Sequence, residues 1–205
     1  MTNIVIFGAG GRAGRQAVLV ALRRGHRVTA VVRDPAKYEL SGATVVAGDV
    51  TDAAQVAELA EAHDAVISAA AVYGEGTDPA AFFTDSARAL TAVHKRLIVV
   101  GLSTLLPDES GRLPVDAPGF PPEFRPFCDA HRAGLEVLRA SDGTDWLYLS
   151  PAGDFDHEGE PVGRYRVVAH GAMDSRITYA DLAEAILDEV ETPKHHREHL
   201  AVEAG

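Results

Sequence analysis

A glycine-rich turn near the start of the chain separates a short apolar run from a segment with helical periodicity. The run is Asn3–Phe7, and the glycines stand three residues apart at positions 8, 11 and 14. Apolar residues then recur at helical spacing over Arg12–Arg24, and Gly25, a residue type that often ends helices, follows. A strand, a glycine turn and a helix in this order predict a corner at which the free N–H groups of the helix start bind a phosphate.

The rest of the first half repeats the pattern of a strand followed by a helix. Further β-branched and apolar runs predict strands at Arg27–Val32, Thr44–Ala47, Ala65–Ala69 and Arg96–Val100, with helices at Ala53–Glu61 and Pro79–Val93. Strands that alternate with helices pair in parallel through right-handed crossovers. The expected fold class is therefore α/β, a Rossmann-type doubly wound, mainly parallel sheet with helices on both faces.

The second half of the chain is less regular. Six prolines interrupt residues 103–126, and we predict that residues 102–126 form an active-site loop over the carboxyl edge of the sheet. Residues 151–177 are expected to form a small irregular cap segment at the substrate site. The other expected elements are a helix at Phe127–Ala140, strands at Trp146–Leu149 and Arg164–Ala169, a helix from Asp181 with Thr178 in its capping box, and a last edge strand at His199–Glu203. We expect residues 1–205 to form one domain.

The composition is that of an ordinary globular domain. Hydrophobic residues make up 46% of the chain, and its formal net charge is −11. The acidity argues against a nucleic-acid partner, and the apolar runs are much shorter than the ~20 residues of a membrane-spanning helix. Cys128 is the one cysteine, so no disulfide within the chain is expected. We therefore expect a cytoplasmic monomer or homodimer that acts on a small molecule.

Each glycine of the turn has a separate expected role. Gly8 permits the tight turn, Gly11 lets the backbone approach a diphosphate, and Gly14 lets the helix pack close to the strand. This arrangement is typical of dinucleotide sites, and the expected cofactor is NADP(H) or NAD(H). The residues predicted to bind it here are Gly8, Gly10, Gly11, Arg12, Ala13 and Gly14.

The end of the second strand decides between the two cofactors, because an acidic residue there binds a free ribose 2′-hydroxyl and a basic residue binds a 2′-phosphate. Arg33 ends the strand, and with Arg12 and Lys37 it could surround a 2′-phosphate, so we expect NADP(H) to be preferred. Asp34 leaves NAD(H) possible as the cofactor, because a strand that ended one residue later would present the carboxylate of Asp34 in place of the Arg33 guanidinium. The alternative is that Arg33 and Asp34 form a surface ion pair.

Asp49 and Val50 follow the third strand, where a carboxylate could accept a hydrogen bond from the adenine amino group. A role at the start of the next helix is the competing interpretation of Asp49, although Thr51 and Asp52 are better placed to cap that helix. We include Asp49 and Val50 among the expected cofactor residues and leave both interpretations open.

These residues resemble the atypical short-chain dehydrogenase/reductase superfamily, in particular its NmrA-like branch, which includes NADH-flavin reductases and reductases of the flavin/biliverdin reductase B type. The resemblance covers nearly the whole chain. It rests on GAGGRAG at 8–14, VVRDPAK at 31–37, GDV at 48–50, HDAVIS at 63–68, DWLYLSP at 145–151, GRY at 163–165 and SRITYAD at 175–181. It implies an NAD(P)-binding fold with the nicotinamide near the ends of the fourth and fifth strands, at Ser68, Ala69 and Ala70 and at residues 101–103.

The sequence departs from the superfamily at the residues that carry proton chemistry. Where the carbonyl reductases have a Tyr-x-x-x-Lys pair, this chain has FCDAH over residues 127–131, and Phe127 cannot donate a proton. The departure favours an acceptor that needs alignment rather than an acid. FMN or FAD is therefore a candidate substrate.

Four further residues are candidates for the site. Ser103 matches the serine position of the superfamily and could bind the substrate or the nicotinamide, with a helix or turn cap as the alternative. His131 could supply a proton, although a lone histidine on a helix is more often at the surface. Tyr73 and Phe155 could stack on a substrate ring, and core packing is the alternative for both.

Three functions stand as hypotheses. The leading one is an NAD(P)H-dependent reductase that transfers hydride to a flavin or a similar quinonoid small molecule. The main alternative is a non-catalytic, NmrA-like redox sensor that binds NADP and acts through a protein partner. An epimerase or dehydratase is a weaker hypothesis, because it needs the absent tyrosine too. No metal is expected, since the histidines of residues 195–199 lack the pattern of a zinc site.

Overall fold

The computed structural model describes residues 1–74 and 76–205. Its strands are β1 (Asn3–Phe7), β2 (Arg27–Val32), β3 (Thr44–Ala47), β4 (Ala65–Ser68), β5 (Arg96–Val100), β6 (Asp145–Pro151), β7 (Asp154–Phe155), β8 (Tyr165–Val168), β9 (Arg176–Ile177) and β10 (Glu198–Ala204). Its helices are α1 (Arg12–Arg23), α2 (Ala53–Glu61), α3 (Pro79–Thr91), α4 (Arg125–Ala140) and α5 (Tyr179–Glu191). Short 3₁₀ turns lie at Pro35–Lys37, Ser103–Leu105 and Pro114–Asp116.

Eight of the described strands form one sheet, in the order β3-β2-β1-β4-β5-β6-β10-β8, and β7 pairs with β9 in a separate ribbon. Each pairing from β3 to β10 is parallel, whereas β8 runs antiparallel to β10. The strand order reverses between β1 and β4, which is the point at which open α/β sheets bind ligands beyond the carboxyl ends of their strands. The glycine turn follows β1 at this point. The predicted Rossmann-type, mainly parallel sheet is confirmed.

Successive side chains of a strand point to opposite faces of the sheet, and helices cover both faces. In β1, Ile4 and Ile6 pack into one apolar layer with α1 and α5, whereas Val5 and Phe7 pack into another with α2, α3 and α4. Strands covered on both faces are continuous apolar runs, which is why the sequence marks them so clearly. The sheet is therefore doubly wound, as predicted.

The last strand does not lie at the edge of the sheet, which corrects the expectation for His199–Glu203. β10 lies between β6 and β8, and the edge is β8. β8 was expected as a strand at Arg164–Ala169, but its partner could not be predicted, because hydrophobic period identifies a strand without identifying its neighbours. After β6 the chain forms the cap segment, and β8, which lies within that segment, pairs with the outer side of β10.

The capping box predicted for the last helix is present, although α5 begins at Tyr179 rather than Asp181. The Thr178 hydroxyl accepts a 3.1 Å hydrogen bond from the Asp181 N–H and donates one of 2.8 Å to the Asp181 carboxylate. The same carboxylate accepts hydrogen bonds from the N–H groups of Val162 and Gly163. The start of α5 is therefore fixed to the cap segment as well as to its own first turn.

The active-site loop and the cap segment follow the carboxyl ends of β5 and β6 and pack together. Leu105, Leu106 and Val115 of the loop are buried, and Leu106 shares a small apolar cluster with Ala152 and with Ala201 of β10. Buried apolar side chains therefore hold both segments beside the sheet. Over residues 1–74 and 76–205, no helix has the length and apolar character needed to cross a membrane.

Candidate active site

The glycine turn is closely packed, and it leaves no space for side chains at Gly8, which lies against the end of β4, or at Gly14. Gly8 has a φ of +73°, and a Cβ there would lie 2.5 Å from the Ala70 nitrogen. A Cβ at Gly14 would collide with the Gly8 carbonyl. A 3.0 Å hydrogen bond from the Gly11 N–H to the Gly8 carbonyl closes the turn. Only glycine at these two positions lets the helix start approach the carboxyl ends of β1 and β4.

The first turn of α1 has both room and donors for an anion. Gly11 precedes the helix in an extended conformation, and a Cβ there would come no closer than 3.4 Å to another atom. No side chain caps this helix start and its first turn holds no acidic residue, whereas Asp52 caps α2 and Thr178 caps α5. Uncapped N–H groups at the positive end of a helix dipole bind a diphosphate well. The residues present therefore fit a dinucleotide.

Gly10 has a different structural role from the other glycines of the turn. A Cβ at Gly10 would collide with the ring of Tyr38. Arg15 places its guanidinium 5.5 Å from the centroid of that ring and donates a 3.0 Å hydrogen bond to the Gly10 carbonyl. Tyr38, which follows β2 in the chain, and Arg15 thus fix the position of the turn through their contacts with Gly10. No spacing in the sequence singles out Tyr38, because only the fold brings residues 10 and 38 together.

The end of β2 presents Arg33 to solvent and holds Asp34 in a local turn. Asp34 accepts a 3.2 Å hydrogen bond from the Ala36 N–H, and its other carboxylate oxygen lies 3.2 Å from the Lys37 ammonium. The surface ion pair thus joins Asp34 to Lys37, which corrects the alternative that paired it with Arg33. The guanidinium of Arg12, expected to join Arg33 and Lys37, instead contacts the cap segment.

Asp49 is held in a turn after β3. Its carboxylate accepts hydrogen bonds from the N–H and the hydroxyl of Thr51, at 2.9 and 2.8 Å. Asp52 caps α2 by accepting from two N–H groups of the first helical turn, so the role at that helix start belongs to Asp52. The neighbouring Val50 is buried in the apolar layer under α2. Contact of Asp49 and Val50 with adenine stays a prediction.

Ser68, Ala69 and Ala70 lead the chain out of β4 beside the glycine turn. Ser68 is buried, the Ala69 N–H donates a 3.0 Å hydrogen bond to the Phe7 carbonyl, and the Ala70 backbone contacts Gly8. A planar ring bound beyond the turn would thus face backbone and small side chains. A cavity of about 20 Å³ adjoins this wall and is lined by Ser68, Ala70 and, among others, His131.

His131 is buried, which excludes the alternative that placed it at the surface. It is 6% exposed, and its ring lies against Phe83 and Phe127, with centroids 3.7 and 4.7 Å away. Its Nδ1 lies 2.7 Å from the Tyr148 hydroxyl. Burial lowers the pKa of His131 to about 3, so the imidazole is neutral at neutral pH. A neutral, enclosed imidazole is poorly placed to donate a proton, and the geometry does not support the predicted catalytic role.

Ser103 ties the active-site loop to the cap segment. Its buried hydroxyl donates a 2.9 Å hydrogen bond to the Gly153 carbonyl. The 3₁₀ turn that it opens is preceded by Leu102 and has no side-chain cap, so the interpretation of Ser103 as a cap is wrong. The oxygen can still accept a hydrogen bond from a ligand. Contact of Ser103 with nicotinamide or substrate stays a prediction.

Tyr73 and Phe155, both expected to stack on a substrate ring, lie in different surroundings. Tyr73 is 78% exposed and meets Phe127 edge-on, with ring centroids 6.4 Å apart, so core packing is excluded for Tyr73. Phe155 is partly buried and stacks on Tyr179, with centroids 4.0 Å apart and an angle of 17° between the rings. Phe155 therefore has a packing partner, whereas Tyr73 offers most of its ring to solvent.

Two residues of the C-terminal half reach the glycine turn. Nη1 of Arg12 lies 3.1 Å from Nδ1 of His157, and the Tyr179 hydroxyl lies 3.1 Å from the same nitrogen. Tyr179 is the first residue of α5, and α5 packs beside α1. Tyr179 lies in the resembling stretch at residues 175–181, which assigns it no chemical role, and His157 lies in none of the resembling stretches. Sequence reasoning missed them because tertiary packing alone brings them to Arg12.

His195 and His196 lie at the amino edge of the sheet, opposite the glycine turn, whereas His199 lies within β10. His195 pairs with Glu189 at 2.7 Å, and His196 pairs with Asp145 at 2.8 Å. Arg96 bridges the same two carboxylates. In the described part of the chain, no group of three or more histidine, cysteine or acidic side chains could hold a metal ion.

Comparison with known proteins identifies a family that matches most of the chain. Residues 8–193 match a family described as NAD(P)H-binding, a span that begins at the glycine turn and includes the cap segment and α5. The uncharacterized protein YwnB of Bacillus subtilis is 36% identical to this chain, and the alignment covers 98% of this chain and 97% of YwnB. The similarity therefore extends over the whole fold.

Two of the similar solved structures match this chain over nearly the whole length of both chains. A protein named as a putative NADH-flavin reductase, from Streptococcus pneumoniae, has a TM-score of 0.89 and 30% identity, with 100% of both chains covered. A protein named as a putative epimerase, from Bacteroides thetaiotaomicron, has a TM-score of 0.84 and 30% identity, with 98% of this chain and 96% of the other covered. The same fold thus carries two different activity names.

Proposed function

Because the chain belongs to a family of NAD(P)H-binding Rossmann-fold oxidoreductases, we propose that it is a reductase that transfers hydride from NADPH to a flavin or a similar quinonoid small molecule. The similar structure from Streptococcus pneumoniae bears the name of that activity and supports a flavin as the acceptor. The hydride comes from the cofactor itself. The role of the protein is to hold the nicotinamide ring and the acceptor ring in a reactive alignment.

The residues around the expected nicotinamide position favour alignment over acid catalysis, and this observation carries the proposal. Phe127 stands where the resembling carbonyl reductases have a tyrosine, and its ring packs against Tyr73, Phe83 and His131. His131 is neutral, with its Nδ1 in contact with the Tyr148 hydroxyl. A carbonyl needs an acid as hydride arrives, whereas a flavin is a good hydride acceptor whose proton solvent can supply.

Aromatic side chains near the turn offer surfaces to an acceptor ring. The Phe155–Tyr179 stack is connected to the turn, since the Tyr179 hydroxyl and Arg12 share a contact with His157. The exposed ring of Tyr73 is a second surface. Offset or edge contacts between aromatic rings add about 0.5–1.5 kcal/mol beyond the area they bury, which is enough to orient a planar acceptor.

NADPH is the proposed cofactor because Arg33 is exposed at the end of β2 while Asp34 is engaged by Ala36 and Lys37. We expect Arg33→Ala to weaken NADPH binding on the order of 10-fold and to change NADH binding by less than about twofold, since a charge-assisted bond to the 2′-phosphate is lost. Calorimetric titration with each cofactor measures both changes. Arg88→Ala on α3 is the control and should alter neither affinity. An equal loss of both cofactors would assign Arg33 a structural role.

Steady-state consumption of NADPH with FMN, riboflavin or a quinone tests the proposed reaction. We expect saturable oxidation of NADPH that depends on the protein and on an acceptor. Binding of NADPH without turnover, together with a stable complex with a protein partner, would contradict the proposal and favour the redox sensor. Conversion of a sugar nucleotide without net consumption of the cofactor would contradict it in favour of an epimerase.

A further inference from the structure

The first turn of α1 carries side-chain charge of the wrong sign for a helix start. Helix N-termini have a partial positive charge, which favours acidic residues there. Arg12 is the first residue of α1 and Arg15 follows three residues later, with no acidic residue in the first turn. A local conflict of this kind is typical of functional sites, where a bound group supplies what the chain lacks. A bound anion would neutralise both cations and the helix dipole.

Arg12 is also held in place by residues from elsewhere in the fold. Its Nη1 lies 3.1 Å from Nδ1 of His157, and because arginine only donates, Nδ1 accepts and the His157 proton lies on Nε2. The Tyr179 hydroxyl lies 3.1 Å from the same Nδ1, and the Tyr179 ring is fixed by its stack on Phe155. An exposed arginine samples many rotamers. These contacts instead hold the guanidinium against the cap segment, beside the helix start that carries it.

We propose that His157 and Tyr179 are positioning residues that hold the Arg12 guanidinium beside the first turn of α1 as a clamp for the diphosphate of the nicotinamide cofactor. The diphosphate is then bound by the N–H groups of the helix start and by the guanidinium. A guanidinium has five N–H donors, so the bond to His157 leaves donors for phosphate oxygens. The clamp rests on the proposed function only in needing the nicotinamide cofactor, and it does not depend on the acceptor. Because His157 lies in the cap segment, the clamp makes that segment part of the cofactor site.

The clamp predicts a pattern of affinities different from that of Arg33. NADH and NADPH both contain the diphosphate, whereas NADPH alone contains the 2′-phosphate. Loss of Arg12 is therefore expected to weaken both cofactors by the same factor, on the order of 10-fold or more. This assignment replaces the contact with the 2′-phosphate that the sequence suggests for Arg12.

Calorimetric titration of the intact protein with NADPH and with NADH, with no acceptor present, tests the clamp. We expect Arg12→Ala to weaken both cofactors equally, and His157→Ala and Tyr179→Phe to weaken both by about threefold to 10-fold. His157→Asn is expected to restore most of the affinity, because its side-chain oxygen replaces Nδ1 as the acceptor. His170→Ala, at an exposed histidine elsewhere in the cap segment, is the matched control and should leave both affinities unchanged.

A double-mutant cycle separates positioning from a general structural effect. In an Arg12→Ala background, His157→Ala should have no further effect on either affinity, because His157 acts through Arg12. Additive losses, a loss confined to NADPH, or unchanged affinity in Arg12→Ala would each overturn the clamp. The binding constants are measurable whether or not the protein turns over an acceptor. Failure of the clamp and failure of the proposed reaction are therefore distinguishable.

Discussion

Gly11→Asp is expected to lower the affinity for NADPH and NADH by about 100-fold or more, with the free energy of unfolding unchanged or slightly higher. The backbone at Gly11 has a φ of −77°, and the nearest atom to an added Cβ is the Gly8 carbonyl oxygen at 3.4 Å, so aspartate fits without strain. Its carboxylate would cap the free N–H groups of α1. It would also repel the diphosphate, at a cost of about 3–4 kcal/mol for close charges near a protein surface.

Gly11→Ser is the matched control, since serine also caps helices but carries no charge. We expect it to keep the affinity within about 10-fold of the parent protein. Calorimetry gives the affinities, and denaturant titration gives the free energy of unfolding of both variants. Unchanged affinity in Gly11→Asp would mean that the diphosphate binds elsewhere. An equal loss of stability in both variants would mean that the turn tolerates no side chain at this position.

Acidification from pH 7 to pH 5 is expected to lower the free energy of unfolding by about 4 kcal/mol through the buried His131 and the partly buried His199. Burial lowers the pKa of His131 and His199 to about 3, from an ordinary value of 6.5. Between these values the unfolded chain binds protons that the folded chain excludes. Their contribution is thus complete above pH 6.5 and is lost as the pH falls toward 3. Each histidine accounts for about 2 kcal/mol at pH 5.

Denaturant titrations at both pH values, on the parent protein and on His131→Gln, measure this effect. Glutamine does not titrate, so the difference between pH 7 and pH 5 should fall from about 4 to about 2 kcal/mol, whatever the variant costs at pH 7. His170→Gln, at an exposed position, leaves His131 and His199 in place and should keep the full difference. A full difference in His131→Gln would show that His131 is not a source of the acid sensitivity.

The glycine corner could be predicted from the sequence because its determinants are local. The apolar run of β1, the glycine spacing and the periodic face of α1 all lie within the first 25 residues. Each acts through backbone sterics or helix periodicity, which need no knowledge of distant residues. The same reason explains why Thr178 and Asp181 could be recognised as a capping box before the fold was known.

The inward position of His131 was the point at which local reasoning failed, although a signal was present. Cys128, His131, Leu135 and Leu138 lie on one buried stripe of α4 at helical spacing. The polarity of His131 suggests a catalytic residue or a surface residue, whereas its place on the stripe indicates burial. The Tyr148 hydroxyl, which lies 2.7 Å from its Nδ1, makes that burial tolerable.

The contact between Arg12 and His157 could not be predicted by any local rule. The two residues are 145 positions apart, and they meet because the cap segment and α5 return to the start of α1. The position of β10 inside the sheet has the same origin, since strand order depends on the whole fold. The cofactor corner is thus a local feature of the sequence, whereas its clamp and its cap are features of the tertiary structure.

Rapid anaerobic mixing of the NADPH-loaded protein with FMN tests the proposed hydride transfer most directly. The account predicts that the nicotinamide and flavin absorbances fall together with one rate constant. That rate constant should decrease when the transferred hydrogen of NADPH is deuterium, and the reaction should be lost in Gly11→Asp. Bound NADPH that stays reduced while the flavin absorbance does not change would contradict the account.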